Sequence, residues 1–555
     1  MRRELEMNLS RREFLKSSLA AAAGMGALGL LGACSTQENT ASTPSPEATG
    51  DTVAAALDAP YTALSAEAIT EKTVDFVIVG AGPAGLCAAV KAAENGLSVA
   101  VVEKTGGTGG CAKFGMGILA IGTELQKAQG EELDLDAMYN MFTEYTHYRT
   151  DCVLMRRYFE ESKETLEWIE AMGVEFEEAA RYFEKSYPTW HIVKSETGVI
   201  GGGQAKTMTD HLEARARELG VEFYLETPAC RLETENGKVS GVCAVSADGK
   251  QGYHFLCNAA LIATGGFGNN EAWVKEQFAL NLDQDFFGMR FPGHEGDGIQ
   301  MAWNAGVKQS EMIEEMIFDI YQPGSTGSYT NDIKLVMQQP NLMVNQQGQR
   351  FFNEEQVQNT TYTGNSLRNQ TGNTGFMILD EAIKQSYVEA NHVDFTSRVW
   401  NTDDFTQFDA NFKTMEESGY TAIVKADTLE ELANKMGIDP QGLAATVAEY
   451  NQLCADGYDP LGKGAAYLKP ITTAPFYAAQ YYPSSYGTLG GIKVNSNLEV
   501  LDQNDQVITG LYSAGTDSCT VYGDSYMFLL PGNTMGYSVN TGKFVGEAVS
   551  ELLKK

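Results

Sequence analysis

The chain has 555 residues and nine cysteines, and its 73 acidic against 40 basic side chains give a formal charge of −33. Such an excess of carboxylate repels a phosphate backbone, which argues against a nucleic-acid partner, while the length suffices for two domains with sizeable cores. No CxxC or CxxCH spacing occurs among the cysteines, so neither iron–sulfur ligands nor an attached c-type haem is written here, and no metal site is expected.

The chain opens with an address. Ser10 to Lys16 reads SRREFLK, and a weakly apolar Ala/Gly/Leu run follows to Leu31. This resembles a twin-arginine export signal, and Leu31-Gly32-Ala33-Cys34 resembles a lipoprotein cleavage box. Residues 1–34 are therefore expected to be a signal, with Cys34 lipidated and the protein tethered to the outer face of the cell membrane. Residues 35–70 are rich in Thr, Ser, Pro, Glu and Ala without a sustained apolar period, which predicts a flexible linker.

The organising stretch is TVDFVIVGAGPAGLCAAVKAAENGLSVAVVEK, Thr73 to Lys104. A β-branched run turns at Gly80, Gly82 and Gly85, continues through Ala84 into an Ala-rich helix, and closes with a second strand ending on Glu103 and Lys104. Gly80 allows the tight turn, Gly82 lets backbone approach a pyrophosphate, and Gly85 lets helix and strand pack closely. Glu103 stands where such a unit places the acid that accepts ribose hydroxyls. The pattern predicts a dinucleotide-binding unit. Downstream, Gly107 and Thr108 precede Gly115-Met116-Gly117, residues 118–200 read as amphipathic helices, and Gly201-Gly202-Gly203 opens another. VEFYLET and KVSGVCAV read as strands around a turn at Asn236-Gly237.

Together with Ala263-Thr264-Gly265-Gly266, Gly296-Asp297-Gly298 and Gly510 to Gly515, these motifs resemble the flavoprotein family of fumarate reductase, succinate dehydrogenase and 3-ketosteroid dehydrogenase over about residues 73–550. The resemblance implies an α/β fold: a Rossmann-like FAD-binding domain in two parts, 71–322 and 483–555, with an inserted α+β capping domain at 323–482. It implies FAD, held non-covalently because no histidine occurs from Thr105 to Gly117. It further implies Asp517 at the ribityl chain, and Gly532-Asn533 opening a helix whose positive end faces the reduced flavin.

Family members that act on dicarboxylates grip them with two histidines and two arginines, since paired carboxylates demand cations. The resembling positions here are Gln322, Tyr486-Gly487, Leu529 and Lys384. With Tyr522, Tyr526 and Phe528 nearby, this predicts an aromatic, uncharged site for an enone, a steroid-like ring or an aryl-alkene. Tyr486 is the expected polariser of a carbonyl, Lys384 a cap acid with depressed pKa, and Glu354 a proton relay toward it. The expected reaction is hydride transfer from flavin N5 to an activated C=C bond. One dinucleotide fingerprint is present and FAD fills it, so electrons are expected from a separate cytochrome or FMN protein. The oxidative direction and a bare electron shuttle remain alternatives.

Overall fold

The computed structural model describes residues 57–324, 327–399, 402 and 404–554. The export signal, Cys34 and the first part of the expected linker lie outside the described residues. The end of that linker is not free chain. Tyr61 is buried with Cys230, Cys243 and Val245, and Ile69–Thr73 pairs in parallel with Gly252–Leu256. Three scattered apolar side chains, Tyr61, Leu64 and Ile69, suffice to dock it, too few to register as a period.

Five short parallel strands form the centre. β1 (Phe76–Val79) is followed by α1 (Pro83–Glu94) and β2 (Val99–Val102); β3 (Glu222–Tyr224) lies beyond β2, and β4 (Ala259–Ile262) lies on the other side of β1. β1, β2 and β4 are buried at every residue, as expected of strands covered on both faces, which read as apolar runs rather than alternations. Gly85 fits because a Cβ there would lie 2.0 Å from the Gly80 carbonyl oxygen.

β5 (Gln309–Ile320) leaves this domain for a second core that includes β6 (Gly375–Asp380) and α2 (Glu381–Ala390). β7 (Phe476–Ile492) returns, antiparallel to β5. Tyr477 to Tyr481 belong to the second core, whereas Leu489 and Ile492 belong to the cores around the parallel sheet. The boundary expected after Tyr482 thus falls inside a continuous strand. β8 (Val507–Ser513) rejoins the parallel sheet beside β4, and α3 (Asn533–Leu552) packs on α1, where Gly542 is tight enough that a Cβ would sit 2.2 Å from the Ala84 carbonyl.

Two local expectations change. The turn at Asn236-Gly237 does join antiparallel strands, both residues having positive φ of 52° and 74°, but its first strand is Ala229–Glu235; VEFYLET instead supplies β3. Residues 118–200 hold helices at Glu124–Ala128, Leu135–Tyr145 and Cys152–Glu170, and also a small sheet of Gly117–Leu119, Phe176–Ala180 and Trp190–Val193. Among the described residues no helix is long and apolar enough to cross a membrane.

Candidate active site

A cavity of about 320 Å³ extends from the C-terminal ends of β1 and β2 to the N-terminus of α3. Gly80, Gly82 and Ala84 line it on the first turn, and Glu103 and Lys104 at the end of β2. A Cβ at Gly82 would meet nothing within 4 Å, and α1 has no side-chain cap, so its N–H groups are left for a ligand anion. Glu103 accepts from the Ala81 and Thr105 amides at 2.8 and 2.7 Å, and Lys104 Nζ lies 2.5 Å from Asp297 Oδ2, another lining residue. Ala263, Thr264 and Gly265 form the opposite wall, with Gly115, Met116 and Gly117 toward the far end. These groups together fit a flavin dinucleotide.

At the far end the lining changes to Tyr182, Glu315, Tyr486, Tyr526, Phe528 and Thr534. The strand pairing explains how two of them meet. Glu314 of β5 faces Thr488 of β7, and Met316 faces Ser485. Two residues of β7, Tyr486 and Gly487, therefore oppose the single Glu315. Such a bulge bends the strand and re-aims side chains, and here Glu315 and Tyr486 both turn into the cavity. The Thr534 hydroxyl lies 2.7 Å from Glu315 Oε1 and 3.0 Å from the Tyr526 hydroxyl. Burial pushes the Glu315 carboxyl up to about 7, against the hydrogen bonds of Thr534 and Tyr526 that would lower it. Burial also carries the Tyr486 phenol far above its usual range, helped by the nearby Tyr182 hydroxyl with which it shares a hydrogen bond, and burial raises Tyr182 to about 12, so both phenols stay protonated, one donating to the other. No arginine lines the cavity among the described residues. His294 does, pressed against Gly265 and held neutral by burial, its pKa lowered to about 4.

Residues 75–534 match the FAD binding domain family. The chain belongs to this family of flavoproteins. Its cofactor is FAD. The chain is 33% identical over 485 residues to a vinyl phenol reductase of Lactiplantibacillus plantarum, covering 86% of this chain and 96% of that protein. It is 27% identical over 494 residues to a fumarate reductase (cytochrome) of Shewanella frigidimarina, covering 87% and 78%. Its fold resembles that of 3-ketosteroid-Δ4-(5α)-dehydrogenase from Rhodococcus jostii RHA1, with a TM-score of 0.68 at 24% identity, covering 88% of this chain and all but 1% of the other, 99%.

The flavoprotein's structure separates the expected site residues into two groups. Gly80, Gly82, Ala84, Glu103, Lys104, Gly115, Met116, Gly117, Ala263, Thr264, Gly265, Asp297, Gly532 and Tyr486 line the cavity. The others stand behind it. Gly85 packs on the first turn, and Thr108, next to Gly107, bonds Glu213 at 2.5 Å. Asp517, expected at the ribityl chain, is fully buried and instead pins the β4 turn: its carboxylate accepts from the Thr264, Gly265 and Gly266 amides and the Thr264 hydroxyl. Asn533 is buried within the first turn of α3.

Two catalytic expectations are corrected. Lys384, on α2, is 1% exposed and bonds Glu381 at 2.8 Å and Asp409 at 2.9 Å within the second domain. Burial lowers its pKa, but those two carboxylates outweigh burial and the net shift is upward, the reverse of what a cap acid needs. Glu354 is fully buried, accepting from Arg350 at 2.6 and 2.8 Å and from the Met343 amide at 3.0 Å. It holds that domain's core together. Tyr522, Leu529 and Gln322 also lie outside the lining, which from the second domain receives Val399. Sequence reading missed Glu315 and His294; Glu315 is one of four acids in its strand, and nothing in the sequence singles it out.

Proposed function

We propose that this protein reduces the C=C bond of a flat, uncharged substrate, an aryl-alkene or an enone, using electrons from a separate carrier. The observation that carries the reading is the substrate end of the cavity: four aromatic rings, three of them phenols held protonated, and no arginine among the described lining residues. An aromatic wall stacks on a planar π system, whereas a dicarboxylate would be left without the cations that offset its desolvation. The 33% identity to a vinyl phenol reductase, nearly end to end, supports the aryl-alkene over the diacid.

Bound FAD supplies the two electrons as hydride. Gly82 and the α1 N-terminus would hold its diphosphate, Glu103 its ribose, and the α3 N-terminus would oppose negative charge on its ring system. Tyr486 orients the substrate's oxygen and hydrogen-bonds the charge that develops there, a donor fixed in advance by Tyr182. The aromatic walls exclude water. Export through the twin-arginine route and a lipid on Cys34 would place this chemistry at the outer membrane face, with a cytochrome or FMN protein as donor.

The test is turnover with reduced methyl viologen as donor, with products identified by mass. Saturated products from vinylphenols or enones, and none from fumarate, are expected. Production of succinate at a comparable rate would overturn the proposal.

A further inference from the structure

Resting on the reading above, we propose that Glu315 is the acid of the reaction, delivering its carboxyl proton to the carbon next to the one that receives hydride. The step balances. The substrate π bond breaks, two C–H bonds form, the reduced flavin is oxidised by two electrons, and Glu315 is left as a carboxylate that regains a proton from water once product leaves.

Four observations place the role on this residue. Glu315 lines the cavity beside Tyr486, Tyr526 and Thr534, whereas the previously expected donors, Lys384 and Glu354, are sealed into ion pairs elsewhere. The bulge opposite Tyr486 and Gly487 turns it inward, while its neighbour Glu314 faces the other way and meets Arg368 at 3.3 Å. Its own partners are neutral. A threonine hydroxyl carries one proton, so Thr534, lying 2.7 Å from Glu315 and 3.0 Å from Tyr526, donates to one and accepts from the other, and neither contact brings a positive charge to Glu315. Finally, the groups that face it from the packed elements are the thiols of Cys111 and Cys519 and the phenols of Tyr486, Tyr522 and Tyr526. None is a cation, so only the Thr534 and Tyr526 hydrogen bonds favour the ionised carboxylate, and burial outweighs them. Its pKa, raised by burial to about 7, suits an acid that must both give and regain a proton near neutrality.

The experiment is stopped-flow reoxidation of the dithionite-reduced, FAD-loaded protein by vinylphenol across pH 5.5–9, in wild type, Glu315→Gln and Glu315→Asp. The wild-type rate should fall as pH rises through about 7. Glu315→Gln should lower it roughly 10²–10⁴-fold and remove that limb, with Glu315→Asp restoring part of both. FAD content and reoxidation by ferricyanide should be unchanged in all three. An independent readout is the pH-difference infrared spectrum, where a carboxyl band titrating near 7 should vanish in Glu315→Gln. Wild-type activity with Glu315→Gln within about threefold would overturn the role of Glu315 while leaving the reductase reading intact. A wild type silent to every neutral alkene would overturn both.

Discussion

Tyr486 and Gly85 show how differently two residues reach the same cavity. Tyr486 acts through its hydroxyl, so Tyr486→Phe should keep FAD and fold but slow reoxidation of the reduced flavin by a substrate with a polarisable oxygen by about 10²-fold, the usual cost of one pre-set donor. Unchanged single-turnover rates would remove it from the chemistry. Gly85 acts through the atoms it lacks. A methyl group 2.0 Å from the Gly80 carbonyl must push α1 off β1, so Gly85→Ala should cost roughly 1–3 kcal/mol and release FAD, read as a lower melting temperature and a colourless purified protein. The first turn was legible because glycine spacing is a local constraint on backbone. Glu315 was not, because Gln309 to Ile320 carries several carboxylates and only its pairing with β7 decides which one enters the cavity.

The small sheet of Gly117–Leu119, Phe176–Ala180 and Trp190–Val193 forms part of the far wall, and its stability has a titratable component. His191, fully buried on the central strand, bonds the Thr189 carbonyl through Nδ1 at 3.0 Å and the Thr123 hydroxyl through Nε2 at 2.7 Å. A carbonyl only accepts, so Nδ1 carries the proton and Nε2 accepts from Thr123. Burial lowers this pKa from 6.5 to about 4. Between those values the unfolded chain binds a proton that the folded chain refuses, so stability is full above 6.5 and falls as pH drops toward 4, by at most about 3 kcal/mol. Thermal melts should show the decline, and His191→Gln should flatten it; an equally steep decline in the variant would assign it elsewhere. Elements of this kind were the least legible. Residues 118–200 carry helical periods that are real, but a three-stranded sheet built from separate pieces of three to five residues leaves no period of its own. The parallel strands, buried on both faces, announced themselves as apolar runs, whereas the hairpin turn was read correctly and its first strand was not, since a turn signal fixes a reversal and not the partner.

Across the whole molecule, two cores share the β5–β7 ribbon, and the point where that ribbon bulges is where Glu315 and Tyr486 meet. The second domain therefore shapes the site through the strands it shares rather than through Lys384 or Glu354, whose charges are spent inside it. A motif records position along the chain, whereas an ion pair with Asp409 or Arg350 is settled by packing. The absence of arginine among the described lining residues is a property of the assembled cavity, and the proposed substrate class rests on it. The most direct test is anaerobic single-turnover reoxidation of the dye-reduced protein by vinylphenol and by fumarate at equal concentration. Rapid reoxidation by vinylphenol with fumarate inert is the predicted result; faster reoxidation by fumarate would contradict the account.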